Sequence, residues 1–258
     1  MSVNVDNTSI VNPKAEIGDN VVIGPYSIIG PNVKIGNNCI IDSHVVIDGW
    51  TTIGENNRIF KGAVIGGEPQ DLKYKGDRSY TVIGNNNKIR EFVTVNRATD
   101  FDGETRIHNN CLLMAYSHVA HNCILYDGVV MANASALGGH IVVEQGVIIG
   151  GLTAIHQFVR VGKGAILGGM SRVTMDIVPY SKASGTPCKI YGLNVVGLER
   201  KGVEKDVIRK LKNTYKILFR MHLGLEEACA RIEEELGDVD KVRDILEFIK
   251  VSERGLCR

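Results

Sequence analysis

Two histidines three residues apart, His118 and His121, interrupt the stretch AYSHVAHNCILYDG at 115–128. His140 follows nineteen residues after His121 and His156 sixteen after that, so four of the seven histidines fall within 39 residues. Imidazole titrates near neutral pH and is the default general base. Glycines stand close by, Gly138–Gly139 before His140 and Gly150–Gly151 before His156. A glycine lets a reactive carbonyl approach the backbone, whose N–H can then hold an oxyanion. Base and oxyanion donor together are what attack on such a carbonyl requires.

These residues interrupt a repeat. Every sixth residue from Val5 to Val173 is apolar except Asp71 and Asp77. A small or polar residue often follows each anchor, as at Gly18, Gly24 and Gly36. Four places after the anchors stand small or medium residues such as Val21, Ser27, Cys39, Cys111, Ser117 and Cys123. A period of six is neither helical nor a simple strand alternation. It fits a parallel β-helix with three six-residue sides per coil, anchors pointing inward and tight corners between them. Coils stacked at about 4.8 Å cover each other's apolar faces, and no coil is stable alone. Cys39, Cys111 and Cys123 then read as buried small hydrophobes, and most glycines as corner residues at positive φ.

Eighteen residues per coil brings His121 and His140 nearly into register, with His118 and His156 on the same side. Exposed polar residues on a solvated strand are the plainer reading of each histidine alone. Three histidines on adjacent coils could also hold zinc. The spacing of His118 and His121 sets them on poorly matched sides of a strand, so no metal is expected.

The repeat breaks at GGEPQDLKYKGDRSYTV (66–82), an extruded loop, and RATDFDGET (97–105) is a second candidate although Phe101 keeps frame. Long loops on rigid scaffolds are often functional. The frame ends near residue 185, where a linker and a C-terminal helical domain (186–258) begin. VEKDVIRKLKNTYKILFR places Val207, Ile208, Leu211, Tyr215 and Leu218 on one helix face. GLEEACARIEEELG and DVDKVRDILEFIKVSERG read as two more helices, the last with Asp238 as its N-cap. Segment 200–220 carries eight Lys and Arg against Glu204 and Asp206, a solvated face or a dock for an acidic protein.

Composition narrows the classes. The 258 residues are 44% hydrophobic and 23% charged with a net charge of +1, which gives no electrostatic pointer to nucleic acid. Aromatics are scarce at 6% and glycines number 29, which suits a slim aliphatic core. No apolar run reaches the length of a membrane span. No signal peptide is read at the N-terminus. Six cysteines without a CxxC pair suit reduced thiols and a cytoplasmic protein.

QDLKY (70–74), SHVAHNC (117–123), GGH (138–140), GGLTAIHQF (150–158), GLNVVGLERKG (192–202) and RGLCR (254–258) resemble, in this order, one acyltransferase family. It is the acyl-carrier-protein-dependent UDP-N-acetylglucosamine O-acyltransferases of lipid A synthesis. The resemblance implies a left-handed β-helix, a homotrimer and active sites in clefts between neighbouring copies. It implies no cofactor, the acyl donor being carried on the phosphopantetheine of acyl carrier protein, which would dock on segment 200–220. His121 matches the general base and Gly139 the oxyanion donor. Asp71 and Lys73 match substrate-reaching loop positions, with Gln70 beside them. His118, His140, His156 and Gln157 fall among residues around the sugar, phosphates and acyl chain. Gly169 matches a position whose side chain limits acyl length, and Asn194 and Arg200 match nucleotide-contacting positions. Asn122, Val196 and Asn96 depart from the family pattern, and SGTPCKIYG (184–192) lacks a commonly seen histidine. The implied reaction moves a 3-hydroxyacyl group to the 3-position of UDP-N-acetylglucosamine. The 3-amino analogue or another nucleotide sugar is the alternative acceptor.

Overall fold

The hexad from Ile35 to Ile40 shows how the repeat folds. Ile35 is buried, Asn38 turns the corner at φ 58°, Cys39 fills the interior behind it, and Ile40 faces outward. The computed structural model describes residues 3–258, and within them the same unit recurs to residue 173. Three sheets result, starting at Asn4–Val5, Ile10–Val11 and Glu16–Ile17, with eleven, nine and eight strands, all parallel except the last strand of the first. They form the three faces of a left-handed parallel β-helix.

Anchors stack in columns. Ile23 pairs with Ile41, Ile41 with Ile59, Ile59 with Ile89 and Ile89 with Leu113. Each fully buried aliphatic side chain contributes about 1.5–3 kcal/mol relative to exposure. The interior position four places on is filled as the pattern predicts. Val21, Ser27, Cys39, Thr51, Ala63, Ser117 and Cys123 are all buried. Burial pushes the thiol of Cys111 up to about 11 and that of Cys123 up to about 12, so both remain protonated.

The glycine expectation needs correction. Corner residues at positive φ are mostly asparagines and aromatics, among them Asn20, Asn56, Phe92 and Tyr116. The glycines after the anchors instead allow close stacking of coils. A Cβ on Gly36 would meet the Gly54 carbonyl carbon at 2.7 Å.

Side-chain ladders along one corner measure the coil length. Asn37 Oδ1 accepts from Asp19 N–H 18 residues away, Asn85 from Glu55 30 away, and Asn109 from Asn85 24 away. One coil thus carries twelve extra residues and the next six. The twelve lie between the strands Val64–Gly67 and Tyr80–Ile83, where the loop was expected. The six lie between Thr94–Asn96 and Glu104–Ile107. Phe101 is in frame only because the insertion equals one period; its side chain is 65% exposed on that loop.

An antiparallel hairpin of Ser181–Ser184 and Lys189–Leu193 carries the first sheet past residue 185. Four helices follow: α1 (Val195–Arg200), α2 (Lys205–Arg220), α3 (Leu225–Leu236) and α4 (Asp240–Lys250). Ile208, Leu211, Tyr215 and Leu218 are buried on α2, and Val207 packs partly buried beside them. Asp238 is not the cap of α4. Val239 holds that position without a side-chain bond, while Asp238 pairs with Lys210 at 3.0 Å. The helices lock onto the β-helix through Tyr215 OH on Pro179 O (2.6 Å) and Lys163 on Asp244 (2.6 Å). No helix among the described residues is long and apolar enough to cross a membrane.

Candidate active site

His121 stands two residues past the anchor Val119, at the corner that ends the strand His118–Val119. Its side chain leaves the β-helix there, yet only 7% of the residue is exposed. The next coil explains this. Gly139 occupies the equivalent corner eighteen residues on, and the imidazole lies against it. A Cβ on Gly139 would sit 2.5 Å from His121 Nε2, far inside contact distance.

The ring is oriented from its other side. Asn122 Oδ1 accepts from Thr99 N–H (3.1 Å) and Thr99 Oγ1 (3.0 Å), while Asn122 Nδ2 donates to Asp100 Oδ1 (2.6 Å). A backbone N–H can only donate and a carboxylate can only accept, so the amide has one possible orientation. His121 Nδ1 lies 3.0 Å from Asn122 Oδ1 and must therefore be the protonated nitrogen. In the neutral ring the free lone pair is then on Nε2. Asp71 Oδ2 is 3.9 Å from Nε2, too far for a hydrogen bond but within ion-pair reach of an imidazolium.

The other histidines surround this ring. His140, at φ 59°, meets His121 edge-on at 5.2 Å between centroids and stacks on Phe158 at 4.8 Å. His118 shares a 2.7 Å hydrogen bond between Nδ1 and Thr94 Oγ1. Burial, then the nearby His121, lowers the pKa of His118 from its ordinary value. The same two causes lower that of His140, against the opposing pull of Asp100 and Asp71. Burial thus disfavours the charged form of both rings. His156 lies exposed at the edge of the group.

The long loop closes over the corner. Asp71 and Lys73 sit in a turn in which Lys73 N–H donates to Asp71 Oδ1 (2.8 Å). A space of about 650 Å³ opens between the loop and the strands, lined by Gln70, Asp71, Lys73, His118, His121, Gly139, His156 and Gln157. A second, of about 390 Å³, shares Asp71, Lys73, His121 and Gln157 and adds His140 and Asp100. Nine of the twelve residues nominated from the sequence thus meet at one site. Gly169 lies at a different corner, in the column of Gly151, whose carbonyl oxygen would be 3.1 Å from a Cβ at 169. Asn194 caps α1 through Gly197 N–H (3.1 Å) and donates to Gly164 O (3.1 Å), and Arg200 ends the same helix.

Three contributors escaped the sequence reading: Arg97, Thr99 and Asp100, all on the second loop. The segment 97–105 was expected as a loop, but nothing in the repeat singled out these side chains within it. Arg97 is buried, and its guanidinium donates to Gly66 O (3.0 Å), Glu68 Oε1 (3.2 Å) and Tyr74 OH (3.1 Å). It holds the base of the loop that presents Asp71 and Lys73. Arg97→Ala leaves these acceptors unpaired at a cost of about 1–3 kcal/mol. The thermal midpoint should fall and protease cleavage within 66–82 accelerate. An unchanged cleavage pattern would show that the loop is held by other contacts.

Among the described residues, no three His, Cys, Asp or Glu side chains converge to hold a metal ion. Away from the histidines, a groove of about 480 Å³ between the hairpin and α2 is lined by Tyr191, Phe219 and four cations, Lys212, Lys216, Arg220 and Arg258.

Comparison with known proteins shows the family. Residues 14–49 match the bacterial transferase hexapeptide family, and residues 176–257 match domain 2 of the UDP-N-acetylglucosamine O-acyltransferases. An acyl-[acyl-carrier-protein]–UDP-N-acetylglucosamine O-acyltransferase of Thermodesulfovibrio yellowstonii is 49% identical over 255 residues, covering 98% of this chain and 99% of the relative. The chain belongs to that acyltransferase family. A relative of the same name from Trichlorobacter lovleyi is 52% identical, with 97% and 98% covered. The solved LpxA structure from Acinetobacter baumannii superposes with a TM-score of 0.96 at 41% identity, covering 98% of this chain and 99% of the other. The left-handed prism, the loop insertions and the helical tail are therefore features of one acyltransferase over the whole chain, as the six sequence motifs implied.

Proposed function

We propose that this acyltransferase moves a 3-hydroxyacyl chain from acyl carrier protein to the 3-hydroxyl of UDP-N-acetylglucosamine, with His121 as general base. The observation that carries the reading is the hydrogen-bond geometry around His121. Nδ1–H is committed to Asn122, and the free lone pair of Nε2 faces the Asp71 side of the cleft. Nε2 takes the proton of the sugar hydroxyl as its oxygen attacks the thioester carbonyl. The tetrahedral oxyanion forms beside Gly139, whose N–H donates to no group among the described residues. Collapse breaks the carbon–sulfur bond, and the imidazolium returns its proton to the phosphopantetheine sulfur. Asp71 stabilises the imidazolium while it exists. Gln70, Lys73, His118, His140, His156 and Gln157 hold the sugar, its phosphates and the acyl chain. The reaction requires no further cofactor.

The enzyme acts as a homotrimer in this reading. Gly169, on another corner, and Asn194 and Arg200, at the ends of α1, reach the cleft from a second copy. Leu72, at the loop tip between Asp71 and Lys73, is fully exposed and gains a contact surface only from a neighbour. Acyl carrier protein, acidic in this reading, docks on the basic segment 200–220. Of its cations, Arg209 pairs with Asp206 and Lys210 with Asp238, while Lys212, Lys216 and Arg220 line the groove with Arg258. Six free cysteines suit the reducing cytoplasm.

The test is an assay with acyl carrier proteins bearing defined 3-hydroxyacyl chains and either UDP-N-acetylglucosamine or its 3-amino analogue, read by mass spectrometry. One acyl mass should appear on the hydroxyl sugar. Product on the amino sugar alone would replace the proposed acceptor, and product on neither would overturn the reading.

A further inference from the structure

The base is held through a chain of groups that ends on a carboxylate it never touches. Asn122 Nδ2 donates to Asp100 Oδ1 at 2.6 Å, and Asn122 Oδ1 receives His121 Nδ1 at 3.0 Å. The middle of this chain is a neutral amide, which can face either way unless its neighbours decide. Thr99 offers two donors to one end and Asp100 one acceptor to the other. If the amide flips, its NH₂ meets the Thr99 N–H, its oxygen meets the Asp100 carboxylate, and it can no longer accept from Nδ1. The imidazole would then favour the other tautomer, with its proton on Nε2 and no lone pair for the substrate.

We propose that Asp100 is a positioning residue for the transfer reaction, setting the tautomer and ring orientation of His121 through the Asn122 amide. The proposal rests on His121 being the base. Asp100 also polarises the amide: a carboxylate accepting at Nδ2 draws electron density toward Oδ1 and strengthens its hold on Nδ1–H. Thr99 and Asp100 both come from the six-residue insertion before strand Glu104–Ile107. That insertion therefore orients the catalytic ring, while its first residues anchor the longer loop through Arg97. Asp100 faces the smaller of the two spaces around His121 and is itself exposed, so its substitution leaves the β-helix core untouched.

Asp100→Ala should lower kcat about tenfold, the worth of roughly one charge-assisted hydrogen bond, with KM for both substrates unchanged. The ¹⁵N spectrum of histidine-labelled protein should show His121 as the Nδ1–H form in the wild type and as a mixture in Asp100→Ala. Exchanging the pair gives the sharper test. Asn122→Asp alone sets two carboxylates against each other and should lose activity. Asp100→Asn combined with Asn122→Asp restores a donor–acceptor pair and puts a carboxylate directly on Nδ1–H. The double variant should be more active than Asn122→Asp by at least tenfold.

A tautomer unaffected by Asp100→Ala, or effects of the two exchanges that simply multiply, would overturn the proposal. So would a raised KM at constant kcat, which would make Asp100 a substrate contact. Failure of the underlying reading looks different: His121→Ala would retain activity while the tautomer still responded to Asp100→Ala.

Discussion

His121→Ala should lower kcat by about 10²–10⁴-fold, the usual contribution of a positioned general base, while the protein stays folded. The loss follows from what surrounds the ring. No other group is placed to replace Nε2. His118 is held by Thr94 through Nδ1 and His140 is packed between His121 and Phe158, and burial disfavours the charged form of both. Asp71 is close enough to stabilise an imidazolium but, 3.9 Å from the ring nitrogen, is no substitute for it. The fold should persist because His121 occupies an outward corner position. The anchor Val119 and the interior Cys123 on either side complete the core without it. Transfer rates by mass spectrometry, with the thermal midpoint and the oligomeric state alongside, decide the matter. Wild-type turnover in a well-folded variant would remove His121 from the mechanism.

Gly139→Ala should come close to the same loss by a different route. The added methyl group would lie 2.5 Å from Nε2, so the imidazole must swing away. Swinging breaks the Nδ1–Asn122 bond that fixes the tautomer. The backbone N–H at 139 would survive the substitution but would face a displaced base. A loss of about 10²–10³-fold is expected, as when an oxyanion donor is removed. The effect is separable by a double-mutant cycle. In the His121→Ala background there is no ring to displace, so adding Gly139→Ala should cost little more. Full additivity would mean that Gly139 acts without reference to His121, and an active Gly139→Ala enzyme would mean that the cleft can absorb the methyl group.

Much of the fold was legible because the repeat is a local demand made over and over. Each anchor must be apolar, each interior residue small, and each corner tight, so Ile35, Cys39 and their counterparts declare themselves one hexad at a time. Coil arithmetic then brought His121 nearly into register with His140, since a constant coil length converts sequence distance into register. The resemblance supplied the handedness and the roles, which spacing alone does not contain. The glycines misled because close backbone stacking and positive φ favour the same residue. At most corners an asparagine or aromatic took the left-handed position while the glycine gave clearance.

By itself, then, the sequence determined the prism, both loops, the helical tail and the side on which the histidines stand. Tertiary structure decided which nitrogen of His121 is free, where Asp100 and Arg97 act, and which nominated residues share a protomer's cleft. The physical reason is that these depend on partners about 22 to 31 residues away, across coils whose lengths were changed by insertions. An insertion of one full period leaves the apolar rhythm intact, as Phe101 shows, and so cannot be heard in the rhythm. The direction of a hydrogen bond is likewise set by all the neighbours of a group at once, and only the folded chain assembles them.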